Sequence, residues 1–402
     1  MKILRIVYEW PSPWIGLVPQ PFEITRSQAK MGHQITVLCG RWPNAGNLIT
    51  IPGVSIKPFI REPLKGVLLV TIAPLMFLYY LVWRGNNTPD LIHAHGHFGL
   101  WLFYYRKLLK RFRPNHDELK IPLVVHFHNC AQARWNKLVS QGKSISFVTQ
   151  KLAYPLEVFA NELALQVADA YICVSNDVKN EFIELHGANA QKMFVVESGV
   201  NVNLFAPVGP DEKEKTRRDL GLINSDRVIL FHGMMVERKN VHLLVDAIKL
   251  LPSEYKLLLI GDGDSSYMQR LTDQIKEKQL ESRVFRVGYT EYPKIHIGIQ
   301  AADISVLPAD YEGLPKTVLE SLACGVPVLG SGFKAANEIN GLIYLDDLNP
   351  ESLAAKIKSM LDTPVKVDRS KVAQLYSWNI KAHEIEQVYN FVLDKDKGVF
   401  NV

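Results

Sequence analysis

The chain has 402 residues, of which 47% are hydrophobic and 22% charged, with 25 glycines and 22 prolines. These values exclude wholesale disorder, a collagen repeat and a coiled coil, and the length suits two or three domains with full cores. The net charge of +5 is uneven, with 18 Lys/Arg against 6 Asp/Glu in residues 1–150 and 28 against 35 in the rest, so the first part suits an anionic partner such as nucleic acid, anionic lipid or a phosphorylated substrate.

In chain order, the short apolar run of residues 1–9 ends at Glu9 and Pro11 and does not read as a signal peptide. Strands are expected at 3–8, 34–39, 91–94, 123–127, 170–174 and 194–196. These runs are mostly apolar throughout, the pattern of parallel strands covered on both faces, and the helical segments between them suit right-handed βαβ crossovers. Residues 66–83 carry no charge between Lys65 and Arg84. As one helix they would span about 27 Å, short of a hydrocarbon core of about 30 Å, and Pro74 would kink it mid-run. A spanning helix would also split one sheet across a bilayer, so the run is read as buried or resting in a membrane interface. Residues 100–113 (LWLFYYRKLLKRFR) mix basic and large apolar side chains and read as a basic interfacial helix.

Residues 206–216 (APVGPDEKEKT) are rich in proline, glycine and charge and read as a linker. The strand pattern then restarts at 228–232, 256–260, 284–287, 304–307 and 327–329. The expected fold is α/β: two Rossmann-like doubly wound domains facing across a cleft, with the ligand at the carboxyl ends of the strands. Cys39, Cys130, Cys173 and Cys324 lie far apart and form no CxxC or Cys/His cluster, which disfavours a disulfide framework and a zinc site and favours a reducing compartment.

The chemistry concentrates in residues 310–330, DYEGLPKTVLESLACGVPVLG. A helix is expected to begin near Leu314 or Pro315, since proline suits the first helical position. Its free amides and positive dipole end suit a phosphate. Glu312 lies just before this helix and Glu320 inside it; carboxylates beside a phosphate would repel it, so they should accept hydrogen bonds from hydroxyls, such as those of a sugar.

Glu312 to Glu320 is an E-x7-E pair within EGLPKTVLESLACGVPV, and this resembles the signature of glycosyltransferase family 4, the retaining GT-B family that uses nucleotide-sugar donors. The resemblance extends over MKILRIVYEWPSP, PDLIHAHGHFGLW, IPLVVHFHNC, ADAYICVSNDVKNEF, VVESGVNVNLFAP, FHGMMVERKNVHLLVDAI, LLLIGDGDSSYMQRL, RVGYTEYP and LYSWNIKAHEIEQVYNFVL. It implies an acceptor-binding domain at 1–205, a donor-binding domain at 206–375, and a final helix at 376–402 that returns to the first domain. It also implies that Glu312 binds donor-sugar hydroxyls and Glu320 the nucleotide ribose. The amides around Gly313, Leu314 and Lys316 would face sugar and phosphates, and Lys239 would neutralise the diphosphate leaving group. His128 would lie at the donor sugar, Gly16 at the phosphates, and Gly288 and Tyr289 at the base. His128, Lys239 and Glu312 are thus the expected catalytic residues.

Three positions depart from the family pattern. Met234 stands where the family usually has arginine, so one of two diphosphate cations is missing unless Arg238 substitutes. The first loop has one glycine, Gly16, where many members have two or more, and Ser198-Gly199 replaces Asn-Gly. His93, His95 and His97 resemble a metal comb without an adjoining carboxylate, and His126 is read as a core histidine facing away from His128. Asp262-Gly-Asp264 imitates a metal-binding DxD but is read as a turn near the nucleotide. No metal and no resident cofactor are expected; the nucleotide-diphosphate sugar is a co-substrate. The expected enzyme builds a glycolipid or lipid-linked glycan for a cell-surface polysaccharide, peripherally on the inner face of the cytoplasmic membrane, with an anionic membrane surface and no nucleic acid as partner. A nucleotide-sugar epimerase or phosphorylase on the same paired-domain fold, and a catalytically silent nucleotide-sugar-binding subunit, are the alternatives.

Overall fold

The computed structural model describes residues 1–14, 18–42, 46–60, 69–140 and 147–395. The chain divides into two compact units, Met1–Glu197 with Lys381–Val402, and Ser198–Ile380. The change-over comes earlier than residue 205 because Val200 bridges to Ser377 and Gly199 packs on the Trp378 indole, both within the second unit. The second crossing falls inside the Trp378–Lys395 helix rather than at its start.

The first unit holds a seven-stranded parallel sheet: β1 (Lys2–Glu9), β2 (Gln34–Arg41), β3 (Val54–Ile60), β4 (Leu91–His95), β5 (Leu123–Phe127), β6 (Ala170–Cys173) and β7 (Met193–Val195), in the order β3-β2-β1-β4-β5-β6-β7. The order reverses between β1 and β4, which makes that position a topological switch point. Alternation divides the sheet's faces. Leu4, Ile6, Ile92, Ala94, Leu123, Val125 and Phe127 join a core with the Ile72–Arg84, Leu100–Phe112 and Tyr154–Val167 helices. The opposite face is not uniformly apolar. It buries Arg5, His93, His95 and His126 beneath the Pro19–Lys30 helix and Tyr389 of the last helix. Arg5 donates to Thr25 Oγ1 at 2.5 Å, to Gln28 and to the Tyr389 hydroxyl at 3.3 Å, which accounts for a fully buried guanidinium.

The charge-free run does not form one kinked helix. Of its described residues, only Ile72 onward is helical, and Pro74 falls in the first turn, where a missing N–H breaks no intrahelical bond. No helix among the described residues is long and apolar enough to cross a membrane.

The second unit holds a six-stranded parallel sheet: β8 (Arg227–His232), β9 (Tyr255–Ile260), β10 (Val284–Gly288), β11 (Ile304–Pro308), β12 (Val328–Ser331) and β13 (Leu342–Tyr344), in the order β10-β9-β8-β11-β12-β13. Its switch point lies between β8 and β11. The expected linker is half helix: Pro210–Asp219 is helical, with Pro210 at its start, Asp211 and Glu212 in the first turn, and Arg217 and Arg218 in the last. Those charges complement the helix dipole, so the features that looked like a linker are helix-end signals. All four cysteines are free and buried.

Candidate active site

In the second unit the loops after β8 and β11 meet at the switch point. The Asp310 N–H donates to the Arg238 carbonyl at 2.8 Å, and Asn240 Nδ2 donates to the Pro308 carbonyl at 3.1 Å and to Asp310 Oδ1 at 2.7 Å. The Glu312 N–H donates to the Gly332 carbonyl at 2.7 Å. These bonds bring Arg238, Lys239 and Glu312 together. The Glu312 carboxylate pairs with Arg238 and lies 3.5 Å from Lys239 Nζ. Lys239 is 7% exposed; burial pulls its ammonium below the usual lysine range, and Glu312 partly offsets this.

The helix begins at Lys316 and runs to Ala323, with Pro315 as its N-cap. Proline carries no capping oxygen, so no side chain satisfies the first-turn amides. Leu314 is buried just before them. Glu320 is also buried, and its Oε2 lies 3.3 Å from His232 Nε2 at the end of β8. Gly233 follows at φ 122°; a Cβ there would sit 3.3 Å from Lys239 Nζ and 3.4 Å from Thr317 Cγ2. The end of β8, Lys239 and the first turn of the helix therefore converge. Gly288 closes β10 at φ 75° and its carbonyl accepts from the Gly261 N–H at 2.8 Å, while Tyr289 beside it is half exposed.

Two residues here escaped the sequence reading. His232 ended a run read only as a buried strand; a polar residue at the carboxyl end of such a strand was the available signal. Asn240, the other, ties the two loops. Asp264 is the N-cap of the Ser265–Glu277 helix, accepting from the Ser266 and Tyr267 amides, and Asp262 accepts from its neighbour's amide.

His128 belongs to the first unit, directly after β5, where its Nε2 shares a hydrogen bond with His95 Nδ1 at 3.2 Å. His126 does not face away from it: the two rings stack at 4.8 Å, because residues two apart in a strand share a face. Gly16 lies outside the described residues. Among the described residues one group has the spacing of metal ligands, His93, His95 and His126, with His126 rather than His97 as the third member. Its rings are stacked at 4.6–5.5 Å with interplanar angles of 3–20°. A shared ion must lie in the plane of each ring, which stacked rings do not offer, and the Arg5 guanidinium 3.5 Å from His93 Nδ1 adds positive charge. Burial, reinforced by Arg5, holds all three rings well below the usual histidine range, so they are neutral.

Two doubly wound parallel units in one chain, with a lysine–glutamate cluster at a switch point, define a GT-B glycosyltransferase. The family described as glycosyltransferase family 4 matches residues 16–204, and that described as glycosyl transferases group 1 matches residues 212–374. An uncharacterized glycosyltransferase of Methanocaldococcus jannaschii is 24% identical, over 98% of this chain and 99% of its own. The D-inositol 3-phosphate glycosyltransferase of Thermobispora bispora is 26% identical over 76% and 71%. Among solved structures, sucrose-phosphate synthase from Thermosynechococcus elongatus superposes with a TM-score of 0.78 at 19% identity, covering 98% of this chain and 99% of that one. HepE from Anabaena, in complex with UDP-glucose, gives 0.70 at 20% identity over 97% and 100%. The chain belongs to glycosyltransferase family 4 and is a sugar-transferring enzyme.

Proposed function

We propose that the enzyme is a retaining, metal-independent glycosyltransferase that moves a sugar from a nucleotide-diphosphate donor to a lipid-linked or glycan acceptor at a membrane surface. The observation that carries the donor reading is the cluster of Lys239, Glu312 and Glu320 around an uncapped helix start at the second switch point. As the sugar–phosphate bond breaks, negative charge grows on the departing diphosphate. A buried ammonium and fixed amide dipoles stabilise that charge without reorganising. The acceptor oxygen forms its bond on the same face of the sugar, and its proton passes to the departing phosphate. Glu312 and Glu320 hold hydroxyls of the sugar and ribose. His128 is retained as a catalytic residue of the first unit. The acceptor reading draws support from exposed apolar and basic side chains on the Ile72–Arg84 and Leu100–Phe112 helices, and from the likeness to named relatives that include an acylated phosphatidylinositol mannoside mannosyltransferase. It implies a peripheral enzyme on the inner face of the cytoplasmic membrane, serving glycolipid or cell-surface polysaccharide synthesis.

The test is a panel of UDP-, GDP- and ADP-sugars, read by nucleotide release with and without acceptor and with EDTA present. Acceptor-dependent release that persists in EDTA, with a product whose anomeric configuration matches the donor's, is expected. Glu312→Ala combined with Glu320→Ala should abolish it while the melting curve stays native. Near-normal turnover in that double variant overturns the site. Turnover of the donor without acceptor, giving an isomeric nucleotide sugar, supports an epimerase instead.

A further inference from the structure

A hydrogen bond between two imidazoles ends the polar face of the first sheet. His95 closes β4, pairs with His126 of the neighbouring strand β5, and lies beside His128, which follows β5. Its Nδ1 is 3.2 Å from His128 Nε2, the two ring centroids are 5.4 Å apart, and the ring planes differ by 19°. That centroid separation is close to the N···N distance plus two ring radii. The contact therefore runs near both ring planes, where an imidazole N–H and lone pair point. One nitrogen donates and the other accepts. The burial of His95 decides which. His95 is 5% exposed, and its Nε2 is buried with no hydrogen-bond partner among the described residues. Burial beside the His93 and His126 rings keeps it neutral, so it carries a single ring proton. On Nε2 that proton would make a buried N–H with nothing to bond, which folded proteins avoid more strictly than an unused acceptor. On Nδ1 it bonds His128 and leaves only a bare lone pair behind.

We propose that His95 is a positioning residue for His128: its Nδ1–H donates to His128 Nε2, fixes the ring plane, and holds His128 as the neutral tautomer protonated on Nδ1. Which nitrogen of a histidine carries the proton follows from the bond that the other one makes. With Nε2 occupied by a donated proton, His128 has no basic nitrogen left. It serves the reaction as a hydrogen-bond donor and not as a general base. This agrees with a transfer in which the acceptor's proton passes to the departing phosphate rather than to a side chain. The assignment rests on the reading of His128 as a catalytic residue given above.

Nuclear magnetic resonance of the full chain labelled with nitrogen-15 histidine, beside steady-state kinetics, tests the assignment. The His128 signals, identified by their loss in His128→Gln, should show a protonated Nδ1 and a bare Nε2, with no proton uptake as pH falls through the ordinary histidine value of about 6.5. His95→Phe keeps a flat ring in the same place and removes the donor. In that variant His128 should lose this pattern and take up a proton at higher pH than in wild type. Its kcat should fall about tenfold while KM for the donor sugar changes little, since one hydrogen bond that sets the reacting geometry is lost. His95→Asn, whose side-chain amide can donate from a similar position, should restore most of the kcat. A wild-type His128 protonated on Nε2 overturns the assignment, and that observation needs no variant to fold. A His95→Phe chain with wild-type kcat and an unchanged His128 tautomer overturns it as well, even where His128→Ala loses turnover. Near-normal turnover in His128→Ala overturns the catalytic reading of His128, and the assignment with it.

Discussion

Asn240 and Gln279 are the non-glycine residues at positive φ among the described residues. Asn240, at φ 47° and ψ 39°, both starts the Val241–Leu250 helix and reaches across to Pro308 and Asp310. Asparagine tolerates the left-handed conformation that costs most side chains roughly 1–2 kcal/mol. Asn240→Ala should destabilise the second unit by roughly 2–3 kcal/mol through backbone strain and two lost hydrogen bonds. Asn240→Gly keeps the conformation and loses the bonds alone. Both should weaken nucleotide binding, since Lys239 and Glu312 sit on the loops that Asn240 joins. Urea unfolding beside nucleotide titration reads this, and wild-type behaviour in both variants refutes the tie. Glu312, Glu320 and Lys239 were legible in the sequence because each carries charge in a recognisable string. The capture of Arg238 by Glu312 was not, because it depends on β8 and β11 being neighbours although residues 233 to 303 separate their ends.

Strands were legible where they are buried on both sides, as β5 and β8 are. β3 was missed because it is a half-exposed edge strand containing Lys57 and Pro58, and β13 because it is only three residues long. The polar face of the first sheet was also hidden, since single histidines and one arginine among apolar residues do not announce that they stack together. That layer sets a pH dependence. In the unfolded chain His93, His95 and His126 take up protons near the ordinary 6.5; in the folded unit they do so only well below it. Between those limits the unfolded state binds more protons, so stability falls as pH drops below 6.5 and this contribution vanishes above it. Each ring adds at most about 1.4 kcal/mol per pH unit to the slope. Urea unfolding followed by hydrogen exchange over β4 and β5, from about pH 8 to pH 5, should show the loss, and His126→Phe should make it shallower. A flat profile in wild type means that these rings take up no extra protons on unfolding.

At the scale of the whole molecule, the repeat of two α/β halves was legible because each half carries its own set of apolar runs, and the return of the last helix followed from the family resemblance alone. The charge imbalance of the first part was legible too, but not which cations are available. Arg106 is 1% exposed and donates to the Ile121 carbonyl at 2.9 Å, so it serves the core rather than a surface. Lys110 donates to the Gln166 carbonyl at 3.1 Å. The outward stripe of helical period on the Leu100–Phe112 helix is Tyr104, Lys107, Leu108, Arg111 and Phe112, with Lys110 exposed beside it. The Ile72–Arg84 helix packs beside it through Phe77 and Tyr105, whose rings lie 5.5 Å apart, and exposes Leu75, Leu78, Leu81 and Val82, the last at 76%. Apolar side chains mixed with cations on adjoining helices suit an anionic lipid surface, where each Lys or Arg contributes about 1 kcal/mol and apolar burial adds to it. The protein should float with anionic vesicles at low salt and much less in about 1 M salt, where the Debye length falls to about 3 Å. Lys107→Glu with Arg111→Glu should cut the floated fraction at least tenfold, by charge reversal within the headgroup region. Leu78→Glu with Val82→Glu should do the same through apolar contact, and all four positions are exposed, so melting should stay native. A chain that ignores anionic vesicles at low salt, or double variants that float like wild type, would remove the membrane from the functional reading and leave the donor site as it stands.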